Sequence, residues 1–465
     1  MDLRTAEREV QRHSAELKKE LRLGDLVLTQ ILFITGAFWF GTAGKLGSSH
    51  IMFWIPAVLL FYIPSGIVVV HLNQEMPLEG GIYQWVKLRF GNAAGFLAAW
   101  NILASSVLSI SMMASQLTEN VALAFGSSGA WIAESKWVLV ACAALLTGGL
   151  MLVGVRGLAL GRWIHNAGGL TLVIIVGAMA LFAVPRWFRG EVAVAPVEFS
   201  IPALSLLNLN LLGKMSFGAF FGFDGAAIFS GECRDPHVAR TMRRSIWLAA
   251  PVITLIYILG TSCVLVFTRP DAIDLISPTT QALTRGAQHL GIAALVAPVA
   301  AGLLIFHIVG YSSLSFNAMI RLPMVAGWDH LLPDWLSRLH PRYKTPVGPI
   351  VFIGVVAFVF TILGNLGVGA QEAFQLLGNG SFICYALTYL VMFAIPLVAR
   401  GEKPAWGVRL AAASGFTMTL LYAVLSIFPI IDVKDAASFT LKVSGVVIGI
   451  NVGGALYFWR AHKRR

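Results

Sequence analysis

The chain has 465 residues, 57% hydrophobic and only 12% charged, with a mean hydropathy of +0.76 and a formal charge of +11. A soluble chain of this size carries roughly twice that share of charge. A large soluble enzyme, a disordered chain and a disulfide scaffold are therefore excluded. The basic residues sit between apolar runs rather than on one face, so nucleic acid is not expected as a partner.

Taken in order, residues 1–24 come first, with Arg4, Arg8, Arg12, Lys18, Lys19 and Arg22. They read as an amphipathic cytoplasmic segment without the apolar core of a signal peptide. Twelve apolar runs follow, each near the ~20 residues that cross a bilayer as a helix. They fall at 25–46, 50–72, 94–122, 135–154, 163–185, 208–231, 244–268, 289–318, 347–366, 371–397, 406–429 and 440–461. The sequence predicts an all-α integral membrane protein of about 12 spans. Residues 25–397 form a ten-helix core, and 398–465 add two helices and a short basic tail.

Loop charge orients these spans. Of the 34 Lys and Arg, eight fall on one side: Lys45, Lys136, Arg186, Arg189, Arg269, Arg285, Lys434 and Lys442. Lys214 lies within or at the mouth of span 6, and the other 25 share the side of both termini. That excess predicts a multi-pass protein of the cell membrane with both termini cytoplasmic.

Two spans carry small residues where a lipid-facing helix would not. Span 1 reads Ile34-Thr35-Gly36-Ala37-Phe38-Trp39-Phe40-Gly41, and span 6 reads Phe217-Gly218-Ala219-Phe220-Phe221-Gly222-Phe223-Asp224-Gly225. Glycine lets the backbone unwind, and unwound backbone at membrane depth is tolerated only beside a cavity. The freed N–H and C=O groups can then ligate a polar substrate, and half-helix N-termini favour a carboxylate. The breaks are five spans apart, the spacing of inverted five-helix repeats.

Asp224 is the sharpest single residue. An acid at a helix centre costs about 2.5–3.5 kcal/mol on insertion scales and marks a functional site by default. It is a candidate proton carrier or a counter-charge for a substrate amine. His307 in span 8 could carry a proton near neutral pH. The neighbouring Ser312, Ser313 and Ser315 are candidate ion ligands, with helix packing as their plainer role. Cys142, Cys233, Cys263 and Cys384 show no metal spacing and read as buried small residues. There is no HExxH, GxSxG elbow or Walker loop, so no catalytic cluster, metal or cofactor is expected.

The loops carry a family resemblance. Pro77-Leu78-Glu79-Gly80-Gly81-Ile82-Tyr83, continuing to Phe90-Gly91, Gly95-Phe96 and Trp100, resembles the P-x-x-G-G-x-Y motif of amino acid–polyamine–organocation (APC) transporters. Phe220-Phe221-Gly222-Phe223-Asp224, running on to Ser230-Gly231-Glu232-Cys233-Arg234-Asp235-Pro236, is similar to that family's F-x-G-F-D/E block and its exit. Arg321 with Asp329-His330-Leu331-Leu332-Pro333 resembles the R…D-G-L-L-P signature, and His340-Pro341-Arg342-Tyr343-Lys344-Thr345-Pro346-Val347 the H-P-R-F-K-T-P-V lead into span 9.

The resemblance implies two inverted five-helix repeats, with spans 1 and 6 broken, plus two C-terminal helices, working by alternating access. It places Thr35, Gly36 and Ala37 at a substrate carboxylate, and Phe220, Gly222 and Phe223 at the amine or side chain. Asp224 and Gly225 complete that segment. Four departures stand out: Ile34 at the first span-1 glycine, His71 in place of Glu, Trp328 in place of Arg, and no lysine within 166–185. The expected function is secondary transport of an amino acid or related amine or polyamine, driven by proton symport or by exchange. Protons or sodium would be the coupling ions and membrane lipid the surroundings. The alternatives are a carrier of an inorganic cation or other organocation, and a sensor that binds without transport.

Overall fold

The computed structural model describes residues 21–76, 80–156, 158–200, 202–203, 205–224, 233–235, 238–321, 332–343, 345–398 and 404–463. The N-terminal segment up to residue 20 lies outside the described residues. So do Pro77–Glu79, Gly225, Ser230–Glu232, Pro236, Trp328–Leu331 and Lys344, all of which carry part of the resemblance.

Among the described residues the protein is all-helical, apart from one isolated parallel bridge between Leu21 and Cys233. Ten helices are long and apolar enough to cross a membrane. They are Gly47–Glu75, Asn92–Ala124, Lys136–Arg156, Trp163–Phe188, Arg240–Phe267, Ala293–Met319, Val347–Gly364, Ala370–Leu397, Trp406–Leu425 and Ala436–Ala461. These correspond in order to spans 2 to 5 and 7 to 12. Span 1 is the bent pair Leu23–Ile34 and Phe38–Gly44, whose axes differ by 48°. Span 6 is helical over Leu206–Gly213, π-helical over Lys214–Gly218 and non-helical at Phe221 and Gly222. It resumes at Phe223 and Asp224, where the described stretch ends.

Two further helices occupy stretches that the apolar runs had left as loops. Ile82–Phe90 follows span 2, and Gly91, at φ +91°, turns the chain directly into span 3. Pro278–Gln288 precedes span 8; its proline stands in the first turn, where no N–H is needed. Thr279, Thr280, Ala282 and Leu283 are its buried face.

Span 3 packs on spans 8, 9 and 10, span 5 on span 8, and span 7 on span 1. Small residues permit the closest approaches. Where spans 5 and 8 cross, a Cβ on Gly310 would lie 3.0 Å from the Gly168 Cα, the contact that glycine pairs provide in membranes. Leu145, Leu181 and Leu441 point outward, as residues solvated by lipid chains do.

Candidate functional site

The break in span 1 begins where Thr35 leaves the helical region, at φ −84° and ψ 111°. Its hydroxyl donates to the Ile31 carbonyl and caps the first half. The break in span 6 turns at Gly222, at φ +123°. A Cβ there would lie 2.6 Å from the Phe33 ring, so both conformation and space require glycine.

One side chain holds both breaks. The Tyr257 hydroxyl, from span 7, lies 2.7 Å from the Ile34 carbonyl and 2.8 Å from the Ala219 carbonyl. It also accepts from the Gly36 N–H at 3.3 Å. Three backbone groups released by unwinding thus meet one hydroxyl, which answers the high cost of leaving them unpaired in a dry interior. Span 2 supports the arrangement from behind. Trp54 stacks on Tyr257 with centroids 4.7 Å apart, and Tyr62 stacks on both Phe220 and Phe223 at 4.6 Å.

Asp224 is 1% exposed and held by span 10. Tyr385 donates to Oδ2 and Tyr389 to Oδ1, each at 2.5 Å. The two tyrosines are four residues apart and share one helix face. Tyr389 also accepts from the Gly222 N–H at 3.0 Å, so it ties the break and the acid to one point. Two phenolic donors give an ionised carboxylate charge-assisted hydrogen bonds without water.

Between the breaks lies a small cavity. Span 1 lines it with Phe33, Ile34, Gly36, Ala37, Phe38 and Trp39; span 3 contributes Met113 and Gln116. Phe221, His307, Ile308, Tyr311 and Phe382 complete the wall. Phe38, Trp39, Phe221 and Phe382 form one aromatic cluster, with the Phe38 and Phe382 rings 9° from parallel and Phe221 5.3 Å from Phe382. Gln116 donates to the Ile276 carbonyl at 2.7 Å, and Asn120 bonds Ser277 and Thr280. Span 3 is thereby sealed to the connection before span 8.

The expected site residues divide accordingly. Gly36, Ala37 and His307 line the cavity, with Thr35 immediately beside them. Phe220, Gly222, Phe223 and Asp224 are packed behind the wall rather than lining it, with Gly222 against Phe33 and Ile34, and Gly225 is outside the described residues. The His307 Nδ1 is 3.1 Å from the Gly168 carbonyl, and its ring also bonds the Thr35 backbone, joining span 8 to span 5 and to the break. Ser313 bonds His165 at 3.1 Å. The hydroxyls of Ser312 and Ser315 are both buried without a protein partner among the described residues.

Sequence reasoning missed Tyr257, Tyr385 and Tyr389. The available signal was position: all three lie deep in apolar runs, and Tyr385 and Tyr389 have i,i+4 spacing. Asn120, near the end of span 3, is fully buried.

Comparison with known proteins agrees with this architecture. The family model for amino acid permeases matches residues 24–450. An uncharacterized transporter of Legionella pneumophila is 24% identical over 397 residues, covering 83% of this chain and 82% of its own length. An uncharacterized transporter of Mycobacterium tuberculosis is 27% identical over 349 residues, 73% of each chain. The human large neutral amino acids transporter small subunit 2 is 26% identical over 403 residues, covering 83% of this chain and 71% of the relative. The chain belongs to the amino acid permease family of the APC superfamily, and is a multi-pass membrane transporter rather than an enzyme.

Proposed function

We propose that this permease carries a large neutral amino acid, apolar or aromatic, bound in the cavity between the two breaks. The observation that carries the reading is the lining. Nine of its residues are Phe, Ile, Trp, Met or Tyr, and none is Asp, Glu, Lys or Arg. Such a wall rewards an apolar side chain and offers no counter-charge to a polyamine or a cationic amino acid. Asp224, the acid of the span 6 break, has both oxygens engaged by tyrosines. The name of the mammalian relative points to the same substrate class.

In this reading the α-carboxylate meets the backbone N–H at Ala37, next to the Gly36 N–H that Tyr257 accepts, and the α-amine meets carbonyls of the span 6 break. Thr35, Phe220, Gly222, Phe223 and Asp224 shape that frame, while His307 and Ser313 tie span 8 to span 5. Transport follows from a shift between outward- and inward-open states that the substrate bridges. A proton gradient or exchange drives it. Residues 25–397 are the transport core and 398–465 the accessory pair. The excess of basic residues on one side supports cytoplasmic termini in a cell membrane.

The test is uptake into proteoliposomes. Labelled L-leucine, L-phenylalanine, L-glutamate, L-arginine and putrescine are compared with and without an inward proton gradient. Saturable uptake of the first two, each competing with the other, is expected. Uptake confined to putrescine or L-arginine would overturn the substrate assignment.

A further inference from the structure

Lys214 lies in the π-helical turn of span 6, ahead of the break, and is 2% exposed. Its Nζ donates to the Asn379 Oδ1 at 2.7 Å and lies 5.8 Å from the centre of the Tyr422 ring. An ammonium has three N–H donors, and an unneutralised charge at membrane depth is costly and marks function by default.

The groups facing this turn can be named. Spans 1, 2 and 11 pack against it. Span 2 brings Tyr62, span 11 brings Tyr422, and span 10 brings Asn379 together with Tyr389, whose ring meets that of Phe217. Asp224 lies beyond the break, engaged by Tyr385 and Tyr389. Other charges on these elements sit at their ends. Glu372 pairs with Lys442 at 3.4 Å, Arg409 is exposed at the start of span 11, and His50 bonds the Pro196 carbonyl. Among the described residues no carboxylate bonds Lys214.

Asn379 shows a second feature. Its Nδ2 is buried and reaches no protein acceptor among the described residues. Orphaned donors of this kind are rare in folded interiors. A rotated amide would give Nδ2 an acceptor in the lone pair of a neutral Lys214 amine. The pair therefore has two hydrogen-bonded forms: ammonium donating to Oδ1, and amide N–H donating to the amine.

The placement couples these forms to the site. Asn379, Phe382, Tyr385 and Tyr389 follow at spacings of three, three and four, one stripe along span 10. That stripe holds Lys214 on one side of the span 6 break, lines the cavity at Phe382, and holds Asp224 on the other side.

We propose that Lys214, with Asn379 as its partner, is the binding site of the proton that drives transport, which rests on the reading of this chain as a gradient-driven amino acid permease. The amine lone pair takes a proton from water on the side open to the gradient and forms an N–H bond. The ammonium then latches the first half of span 6 to span 10. Release returns that proton to water on the other side, and the amide rotates to serve the amine.

The test uses the full-length protein in proteoliposomes with a pH-sensitive dye inside, and L-phenylalanine as substrate. The wild type is expected to take up substrate several-fold faster under an inward proton gradient and to acidify the lumen. Lys214→Met is expected to bind L-phenylalanine within about threefold of wild type and to retain exchange. It loses both the gradient response and the dye signal. Asn379→Asp keeps the volume and sets a carboxylate against the ammonium; binding persists and net uptake is lost. This second variant decides the matter if Lys214→Met does not fold. A wild-type gradient response in either variant would overturn the proposal, as would a wild type indifferent to the gradient. Failure of the wild type to bind L-phenylalanine would instead overturn the substrate assignment.

Discussion

Replacing Tyr257 with Phe removes one oxygen from the point where the two broken spans meet. The ring contacts survive, because the stacking on Trp54 and the edge contacts with Phe40 and Phe220 do not involve the hydroxyl. What is lost is the shared partner of the Ile34 carbonyl, the Ala219 carbonyl and the Gly36 N–H. The hydroxyl has one proton, so at least one carbonyl and the N–H become buried without a partner. At about 1–3 kcal/mol for each such group, the loss is about 2–6 kcal/mol. Single interhelical hydrogen bonds in membranes average only about 0.6 kcal/mol, so a large effect here would specifically report the bridging role. The free energy is withdrawn from the binding-competent arrangement, so apparent affinity falls with its population. Two kcal/mol corresponds to about thirtyfold in Kd. Equilibrium binding of L-phenylalanine to the purified Tyr257→Phe protein measures this directly, with thermal unfolding alongside. A Kd and Tm within the range of a single ordinary hydrogen bond, about threefold in affinity, would refute the bridging argument.

Three other outcomes follow from the same geometry. Tyr389→Phe is expected to cost about 1 kcal/mol more than Tyr385→Phe in thermal unfolding, since Tyr389 serves both Asp224 and the Gly222 N–H. Combined with Asp224→Asn, either change should be clearly non-additive, and equal, additive losses would contradict the clamp. Gly222→Ala places a Cβ against Phe33 at φ +123°. It should cost about 1–3 kcal/mol from strain alone and abolish uptake, whereas wild-type uptake would show that the turn is dispensable. Phe382→Ala enlarges the cavity, so the kcat/KM ratio of L-tryptophan to L-leucine should rise about tenfold or more. An unchanged ratio would remove Phe382 from the wall.

Much of the fold was legible because membrane helices are written in plain apolar runs. The expected limits of spans 3, 9 and 10 differ from Asn92–Ala124, Val347–Gly364 and Ala370–Leu397 by only one or two residues. The breaks were legible too, from Thr35-Gly36 in span 1 and from Gly222 beside Asp224 in span 6. What holds the breaks was not. Tyr257, Tyr385 and Tyr389 look like any membrane tyrosine until the packing of spans 7 and 10 brings their hydroxyls to freed backbone and to Asp224. The helix Pro278–Gln288 escaped notice because it is amphipathic and too short to span. The cavity wall draws on spans 1, 3, 6, 8 and 10, and no local pattern announces that Phe33, Met113, Tyr311 and Phe382 share one space. Lys214 stood out as a charge in an apolar run, but its depth and its bond to Asn379 are products of tertiary packing.

The most direct measurement is to locate the substrate. A photoreactive phenylalanine analogue would be bound to the purified protein, irradiated, and its attachment mapped by mass spectrometry. Labelling at Phe38, Trp39, Phe221 or Phe382, suppressed by excess L-phenylalanine and unaffected by putrescine, is the predicted result. Labelling elsewhere in the core, or labelling that L-phenylalanine does not suppress, would contradict a large neutral amino acid bound between the broken spans.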